Sequence, residues 1–284
     1  MKITERVHAL KIPFQIPVTL EKSIDRFVYM FLITGEKIHL IDTGVKGAHE
    51  IIFDYVKKLG RDKNEISSII LTHSHPDHIG SAKTIKDITG CTVYASSIEA
   101  DWIEDTEKQF RERPIPGFNN LVEGPVKIDK FLFEKDRLKL EDGITLKVIY
   151  TPGHSDGSVS FHFLEENILF TGDAVLLPGE IPIYTDVKKY FESLQKIKKI
   201  ENVNILLSSW DEPKKDYAIK ETVDKSRMYV EQIQKAVERT AESGNDFSTM
   251  DFCFAVLDEL KLPKIIANPL LLKSFQANLN FKLN

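Results

Sequence analysis

The alternation of apolar and polar residues divides this chain into strand-like runs, helical stripes and breaks. Residues 4–12 and 26–34 read as strands, the second containing Phe27-Val28-Tyr29-Met30-Phe31-Leu32-Ile33. Gly35-Glu36 turns into a third run, Lys37 to Asp42, which stops at Thr43-Gly44. Apolar runs without alternation are those of strands packed on both faces. Apolar residues at 51, 52, 55, 56 and 59 form a helical stripe ended by Gly60. A buried strand at Ser67 to Leu71 follows, then a helix to about residue 89 and a strand from Cys91 to Ala95. Residues 104–130, rich in Arg, Pro, Gly and Asn, break this rhythm and suggest a long irregular excursion.

Strand signals return at 131–133, 144–150, 158–163 and 167–171, with Glu141-Asp142-Gly143 and Glu165-Glu166-Asn167 as hairpin turns. Val187, Phe191, Leu194 and Ile197 mark a helix over 187–200, and Val203 to Leu207 a last strand. After Pro213 the texture changes. Residues 214–243 predict one long charged helix, and a capping pattern at Ser248 opens another to about Leu262. Residues 264–284 hold three lysines, no acids and many Ile, Leu and Phe, too apolar for a free tail. That segment is expected to dock on the main domain or on another subunit, making a homodimer through the C-terminal helices one possible assembly. The pattern alone supports a mixed α/β chain, with a main domain at 1–212 and a helical extension at 213–284.

A chain of 284 residues can bury a sizeable core, and 42% hydrophobic with 29% charged residues is ordinary for a soluble protein. A formal net charge of −5 argues against a protein whose main work is gripping phosphate backbones. The N-terminal residues lack the apolar core of a signal peptide, and no stretch reaches transmembrane length. Cys91 and Cys253 lie far apart in apolar segments and read as buried free thiols. Together these features place the chain in the cytoplasm by default with no membrane partner, and the acidic balance leans toward a small-molecule substrate and away from nucleic acid without excluding a local basic patch.

The chemistry concentrates in Thr72-His73-Ser74-His75-Pro76-Asp77-His78-Ile79-Gly80, directly after the Ser67–Leu71 strand. Side chains two apart on extended backbone point the same way, so His73 and His75 converge. Pro76 halts the extended run, and Asp77 suits the N-cap of a helix starting near His78. Three imidazoles and a carboxylate within six residues make a transition-metal signature.

His-x-His-x-Asp-His after an apolar strand resembles the metallo-β-lactamase superfamily, in its hydrolase branch with histidine at the sixth position. Leu40-Ile41-Asp42-Thr43-Gly44, Thr151-Pro152-Gly153-His154-Ser155 and Thr171-Gly172-Asp173 match further pieces of that pattern in order, and the resemblance covers about residues 1–212. It implies a four-layer αββα sandwich, here with a C-terminal helical appendage. It also implies His73, His75 and His154 as the first metal site, Asp173 as a bridging carboxylate, and Asp77 and His78 as much of a second site. Asp77 and Asp173 are the residues expected to take part in catalysis. Asp42 is expected to orient the His73–His78 loop from behind. His8, His39, His49 and His162 read as structural or exposed.

The chain departs from the family pattern where one more histidine would complete the second site, for it has none after His162. Ser208-Ser209-Trp210-Asp211-Glu212-Pro213 stands there, leaving Asp211 as the nearest possible ligand and Glu212 as the fallback. The opposite reading is that neither ligates, Trp210 fills the space and the second site is weak. One or two zinc ions are the implied cofactor; an added carboxylate ligand would make manganese or iron more competitive. Three classes of function follow. The first is hydrolysis of an ester-like bond, a thioester or lactone, by metal-bound hydroxide, with a phosphodiesterase or nuclease as its variant. The second is oxygen chemistry at a single iron held by His73, His154 and Asp173, resembling the persulfide dioxygenases. The third is a non-catalytic metal-binding protein. His78 separates the chain from the best-known true β-lactamases, where arginine often stands.

Overall fold

In a computed structural model, residues 1–17, 23–244, 246–279 and 281 are described. The first sheet has strands β1 (Val7–Pro17), β2 (Ser23–Thr34), β3 (Ile38–Ile41), β4 (Ile66–Ile70), β5 (Thr92–Ser96) and β6 (Lys130–Leu132), adjacent in that order. β1 to β3 pair antiparallel, whereas β3 to β6 run parallel through helical crossovers. The second sheet has β7 (Arg137–Glu141), β8 (Ile144–Tyr150), β9 (Val159–Phe163), β10 (Ile168–Gly172), β11 (Ile205–Ser208) and β12 (Lys214–Lys215), also in sequence order. Among the described residues, only β10 and β11 pair parallel there.

The helices are α1 (Ala48–Lys58), α2 (Pro76–Ile79), α3 (Ala82–Thr89), α4 (Ala100–Glu104), α5 (Thr106–Glu112), α6 (Phe118–Leu121), α7 (Val187–Lys198), α8 (Tyr217–Glu242), α9 (Met250–Glu259) and α10 (Pro269–Gln276). No helix among the described residues is long and apolar enough to cross a membrane.

Three apolar layers follow from the strand period of two. Phe31 and Ile33 face the second sheet, where Phe161, Ile168 and Phe170 meet them; the Phe31 and Phe170 rings lie 5.3 Å apart. Met30 and Leu32 point the other way, onto Ile52, Val56 and Ile85 of α1 and α3. The outer face of the second sheet, with Leu169 and Leu206, is covered by Leu194, Val230, Val256 and Phe275 of α7 to α10. Helices, sheet, sheet, helices: the four-layer αββα arrangement is present.

Several expectations change in detail. β1 extends to Pro17 because the β1–β2 hairpin keeps its register from Val7↔Ile33 to Pro17↔Ser23, and an edge strand tolerates Pro13 and Pro17. Residues 104–130 are not an excursion. They form α5 and α6, and Phe118, Leu121, Val126 and Ile128 close the core over the first sheet. The long C-terminal helix starts at Tyr217, since Lys214–Lys215 pairs with β11. The helix expected to be capped at Ser248 begins at Met250; Asp246 accepts the Ser248 backbone N–H instead. The apolar C-terminal stretch docks within its own chain, through Leu271, Leu272 and Phe275. Residues 280 and 282–284 of that stretch lie outside the described residues.

Candidate metal centre

The site forms where the two sheets bring their strand ends together. Asp42 follows β3 and His73 follows β4, its parallel neighbour, so both leave the same edge of the first sheet. Asp173 follows β10 on the second sheet, and His154 lies in the connection from β8 to β9. Gly172, at φ +51°, makes the approach possible: a Cβ there would lie 2.8 Å from Thr72 Oγ1. Thr72 O also accepts the backbone N–H of Val159 at 2.9 Å, joining the two sheets beside His73.

His75, not Asp77, occupies the N-cap of α2, with Pro76 as the first helical residue. Proline fits there because its fixed φ is helical and its missing N–H has no partner to lose. Asp77 therefore sits inside the first turn with its side chain toward the cavity.

Four histidine rings crowd together. The His73 centroid is 4.5 Å from His75, 4.0 Å from His78 and 4.9 Å from His154. His154 Nε2 faces His75 Nδ1 at 2.8 Å and Asp173 Oδ2 at 3.2 Å, and His73 Nε2 lies 3.9 Å from the same oxygen. Asp173 Oδ1 is 3.2 Å from His78 Nε2. The donors form two groups that share Asp173: His73, His75, His154 and Asp173, and Asp77, His78 and Asp173, with ligating atoms in each within 4.8 Å of one another.

These residues fit a divalent cation. His73 Nε2, His78 Nε2 and Asp173 Oδ1 are buried and lack hydrogen-bond geometry to any partner, which is costly unless a cation satisfies them. A tetrahedral ion with nitrogen ligands at the usual distance has donor–donor edges of about 3.4 Å, and the observed separations of 2.8 to 3.9 Å bracket that value.

Hydrogen bonds behind the ligands fix which nitrogen points inward. His78 Nδ1 donates to Asp42 Oδ2 at 2.8 Å, and His154 Nδ1 donates to the Ile183 carbonyl at 2.8 Å, so each presents Nε2 to the site. Asp42 also accepts from the Thr72 backbone N–H and hydroxyl, both at 2.8 Å. It orients the histidine loop from behind, as its place at the end of β3 suggests.

Two supports have no signature in the motifs. Glu99, 5% exposed, follows β5. Its carboxyl accepts the Ser74 N–H and hydroxyl on one oxygen, and the Ser155 hydroxyl and Gly157 N–H on the other. It thus straps the loop between His73 and His75 to the loop carrying His154. Gln109 Nε2 donates to the Ser74 carbonyl at 2.7 Å. The readable signal was position: Glu99 lies just past the end of β5, the next parallel strand after those leading to Asp42 and His73.

Electrostatics sorts the ligands. Burial pushes His73 and His75 well below the ordinary imidazole pKa, so both are neutral, as metal ligation requires. Burial also opposes charge on His78, but Asp173, Asp42 and Asp77 outweigh it and hold its pKa well above the usual value. For Asp173, burial is overcome by His78 and His154, and its carboxyl lies well below the carboxylate range. Burial raises Asp77 against the pull of His78.

The structure does not bring Asp211 or Glu212 to the ligands. The Asp211 carboxylate pairs with Lys214 Nζ at 2.8 Å, and Glu212 Oε1 accepts from the Tyr29 hydroxyl at 2.6 Å. Neither belongs to the two donor groups. A lysine three residues on and a facing tyrosine offer these acids nearer partners than the ligands. Trp210 instead lines the cavity, under the Arg26 guanidinium at 4.4 Å.

The donors form one end of a cavity of about 220 Å³. Besides Trp210, its walls come from residues of four segments outside the metal motifs: the β1–β2 hairpin (Phe14 to Pro17 and Ile24 to Arg26), Arg113 to Leu121, Val175 to Ile183, and Ile265 to Leu270. Ser274 and Asn278 of the C-terminal segment hold the third, contacting the Tyr184 backbone N–H at 3.1 Å and its hydroxyl at 2.7 Å.

Residues 24–208 match the family model described as the metallo-β-lactamase superfamily. A β-lactamase-like protein 2 homolog of Caenorhabditis elegans is 29% identical over 203 residues, covering 71% of this chain and 60% of that protein. A hydroxyacylglutathione hydrolase of Hyphomonas neptunium is 35% identical over 136 residues, covering 48% of this chain and 44% of the other. The matches thus span less than two thirds of these relatives. A crystal structure of a metallo-β-lactamase family protein from Thermus thermophilus superposes with a TM-score of 0.71 at 20% identity, over 98% of this chain and 93% of the other.

Proposed function

The chain belongs to the metallo-β-lactamase superfamily, and from that premise we propose that it is a metal-dependent hydrolase of an ester-like bond, a thioester or a lactone. The observation that carries this reading is the cavity itself. It ends on two donor groups sharing Asp173, and among the described residues no serine, threonine, cysteine, lysine or tyrosine lines it. With no alcohol, thiol or amine among these lining residues, we assign the attack to water. His73, His75, His154 and Asp173 would hold a divalent ion, which would supply Lewis-acid chemistry, acidifying a bound water and polarising a substrate carbonyl.

The chain's own residues supply the rest. Asp77, raised by burial, takes the proton of the attacking water on its carboxyl and returns it to the leaving sulfur or oxygen. Asp173 stays ionised, held low by His78 and His154, and is the carboxylate that both donor groups share. Leu177, Ile181 and Ile266 receive the apolar part of the substrate and exclude bulk water. An acyl group suits such walls better than a phosphodiester does, and the hydroxyacylglutathione hydrolase supports the choice of a thioester. Buried, free Cys91 and Cys253 suit a reducing compartment, and we place the protein in the cytoplasm.

The second donor group has three members, one of them shared, which favours a single tightly held ion and keeps mononuclear iron chemistry as the second reading. Metal analysis and a panel of thioester, lactone, phosphodiester and RNA substrates test both. The expected result is thioester or lactone hydrolysis abolished by chelation, restored by zinc or manganese, and lowered by several orders of magnitude in His73→Ala and Asp173→Ala. A protein that takes up no metal, or cleaves only phosphodiesters, overturns the reading. Bound iron with oxygen consumption on a persulfide favours the second.

A further inference from the structure

Two arginines line the cavity, and their situations differ. Arg26 is committed: its guanidinium pairs with Glu180 at 2.7 Å and lies over Trp210. Arg113 directly follows α5, which stops there because Pro114 disfavours helical backbone in the residue before it. Its backbone N–H bonds Gln109 O at 2.8 Å, but its guanidinium has no hydrogen bond or ion pair among the described residues. The acids whose charge it senses are Asp77, Glu99 and Asp173. All three have other engagements. Glu99 accepts four hydrogen bonds, and Asp77 and Asp173 belong to the donor groups. Burial pushes Arg113 down to about 10, which leaves it charged at neutral pH.

A half-buried cation without a partner is costly, and more so once a divalent ion neutralises the neighbouring carboxylates. Such a group suits an oxyanion, two of whose oxygens a guanidinium grips through two parallel N–H donors. Most of the remaining wall is apolar, with Ile16, Ile24, Leu177, Ile181, Ile265 and Ile266, and its one other acid outside the donor groups among the described residues, Glu180, is already paired with Arg26. Resting on the hydrolase reading above, we propose that Arg113 is the specificity-determining residue of this cavity, and that the substrate is an ester-like compound joining an apolar body to one anionic group, a carboxylate or a phosphate.

The test uses the metal-loaded protein and three thioesters of one acyl chain: S-hexanoyl-3-mercaptopropionate, its neutral amide, and S-hexanoyl-2-mercaptoethyl phosphate. The wild type is expected to prefer an anionic member over the amide by at least about tenfold in kcat/KM, the better of the two identifying the anion. Arg113→Met should erase that preference while changing turnover of the amide less than about threefold and leaving metal content intact, and Arg113→Lys should restore part of it. Equal turnover of charged and neutral members by the wild type overturns the proposal. So does an Arg113→Met variant that loses both activities in proportion, or loses metal. If no thioester is cleaved, the thioester form of the hydrolase reading fails separately, and binding still decides Arg113. Hexanoate or hexyl phosphate should then bind the wild type at least about tenfold more tightly than hexanamide, and Arg113→Met should lose the difference; equal affinities overturn the assignment.

Discussion

Glu99 shows how much a single residue outside the motifs contributes to this site. Replacing one of its oxygens by an amide N–H2, as in Glu99→Gln, sets donor against donor at either Ser74 or the Ser155–Gly157 side. Unsatisfied buried groups of that kind cost about 1–3 kcal/mol, and loss of a partner behind the ligands lowers metal affinity by about 10–100-fold. Chelator competition and thermal unfolding of Glu99→Gln should show both losses; unchanged metal affinity would mean that the two loops hold themselves. Asp211 gives the opposite expectation. Its ion pair with Lys214 is a partly exposed local contact, worth about 0–1 kcal/mol. Asp211→Ala should leave the metal stoichiometry unchanged, and a lost equivalent of metal would put this carboxylate back among the ligands.

Among the elements, the approach of β10 to the end of β4 is the contact on which the donor set depends. Gly172 carries it, with a positive φ and no room for a Cβ against Thr72. Alanine there adds backbone strain of about 1–3 kcal/mol and pushes Asp173 away from His73 and His154. Gly172→Ala is therefore expected to keep its circular dichroism spectrum while binding metal more weakly, in proportion to the displacement of Asp173. A variant with wild-type affinity would show that β10 yields without moving its carboxylate. The same logic of strand ends explains Asp42, His73 and Glu99. They leave three neighbouring parallel strands at one edge, where side chains from distant parts of the chain converge.

For the whole molecule, part of the acid sensitivity follows from histidines that do not serve the site. His8, His39 and His162 are buried, with neutral partners in Tyr55, Ser68 and the Asn202 carbonyl. Burial pushes all three below the ordinary imidazole pKa, in His39 against the pull of Glu141. The unfolded chain therefore binds protons that the folded chain does not. Their contribution to stability is fully present above about pH 6.5 and is lost as the pH falls below that value. Urea midpoints measured in chelator should drop between pH 7.5 and 5.5, and drop less when the three histidines are replaced by glutamine. A slope identical in that variant would assign the acid sensitivity elsewhere.

Most strands and the first histidine cluster were legible because both rest on local patterns, whereas the four-layer sandwich came from the family resemblance. Apolar runs without alternation mark strands covered on both faces, and His73, His75 and His78 lie within six residues, so their convergence needs no knowledge of the rest of the chain. His154 and Asp173 were reachable only through the family resemblance, since nothing local in Pro152-Gly153-His154 or Gly172-Asp173 points to a ligand. Tertiary structure alone decided what depends on long-range pairing. Residues 104–130 looked irregular because proline and glycine punctuate them, yet Phe118, Leu121 and Ile128 find a core in the first sheet. Asp211 looked available by its place in the order of motifs, but availability is set by nearby partners, and Lys214 and Tyr29 hold the acids of that turn. Glu99 and Arg113 were silent for the same reason. One carboxyl meets four donors and one guanidinium meets no acceptor among the described residues, and neither fact exists until the strands and helices have packed.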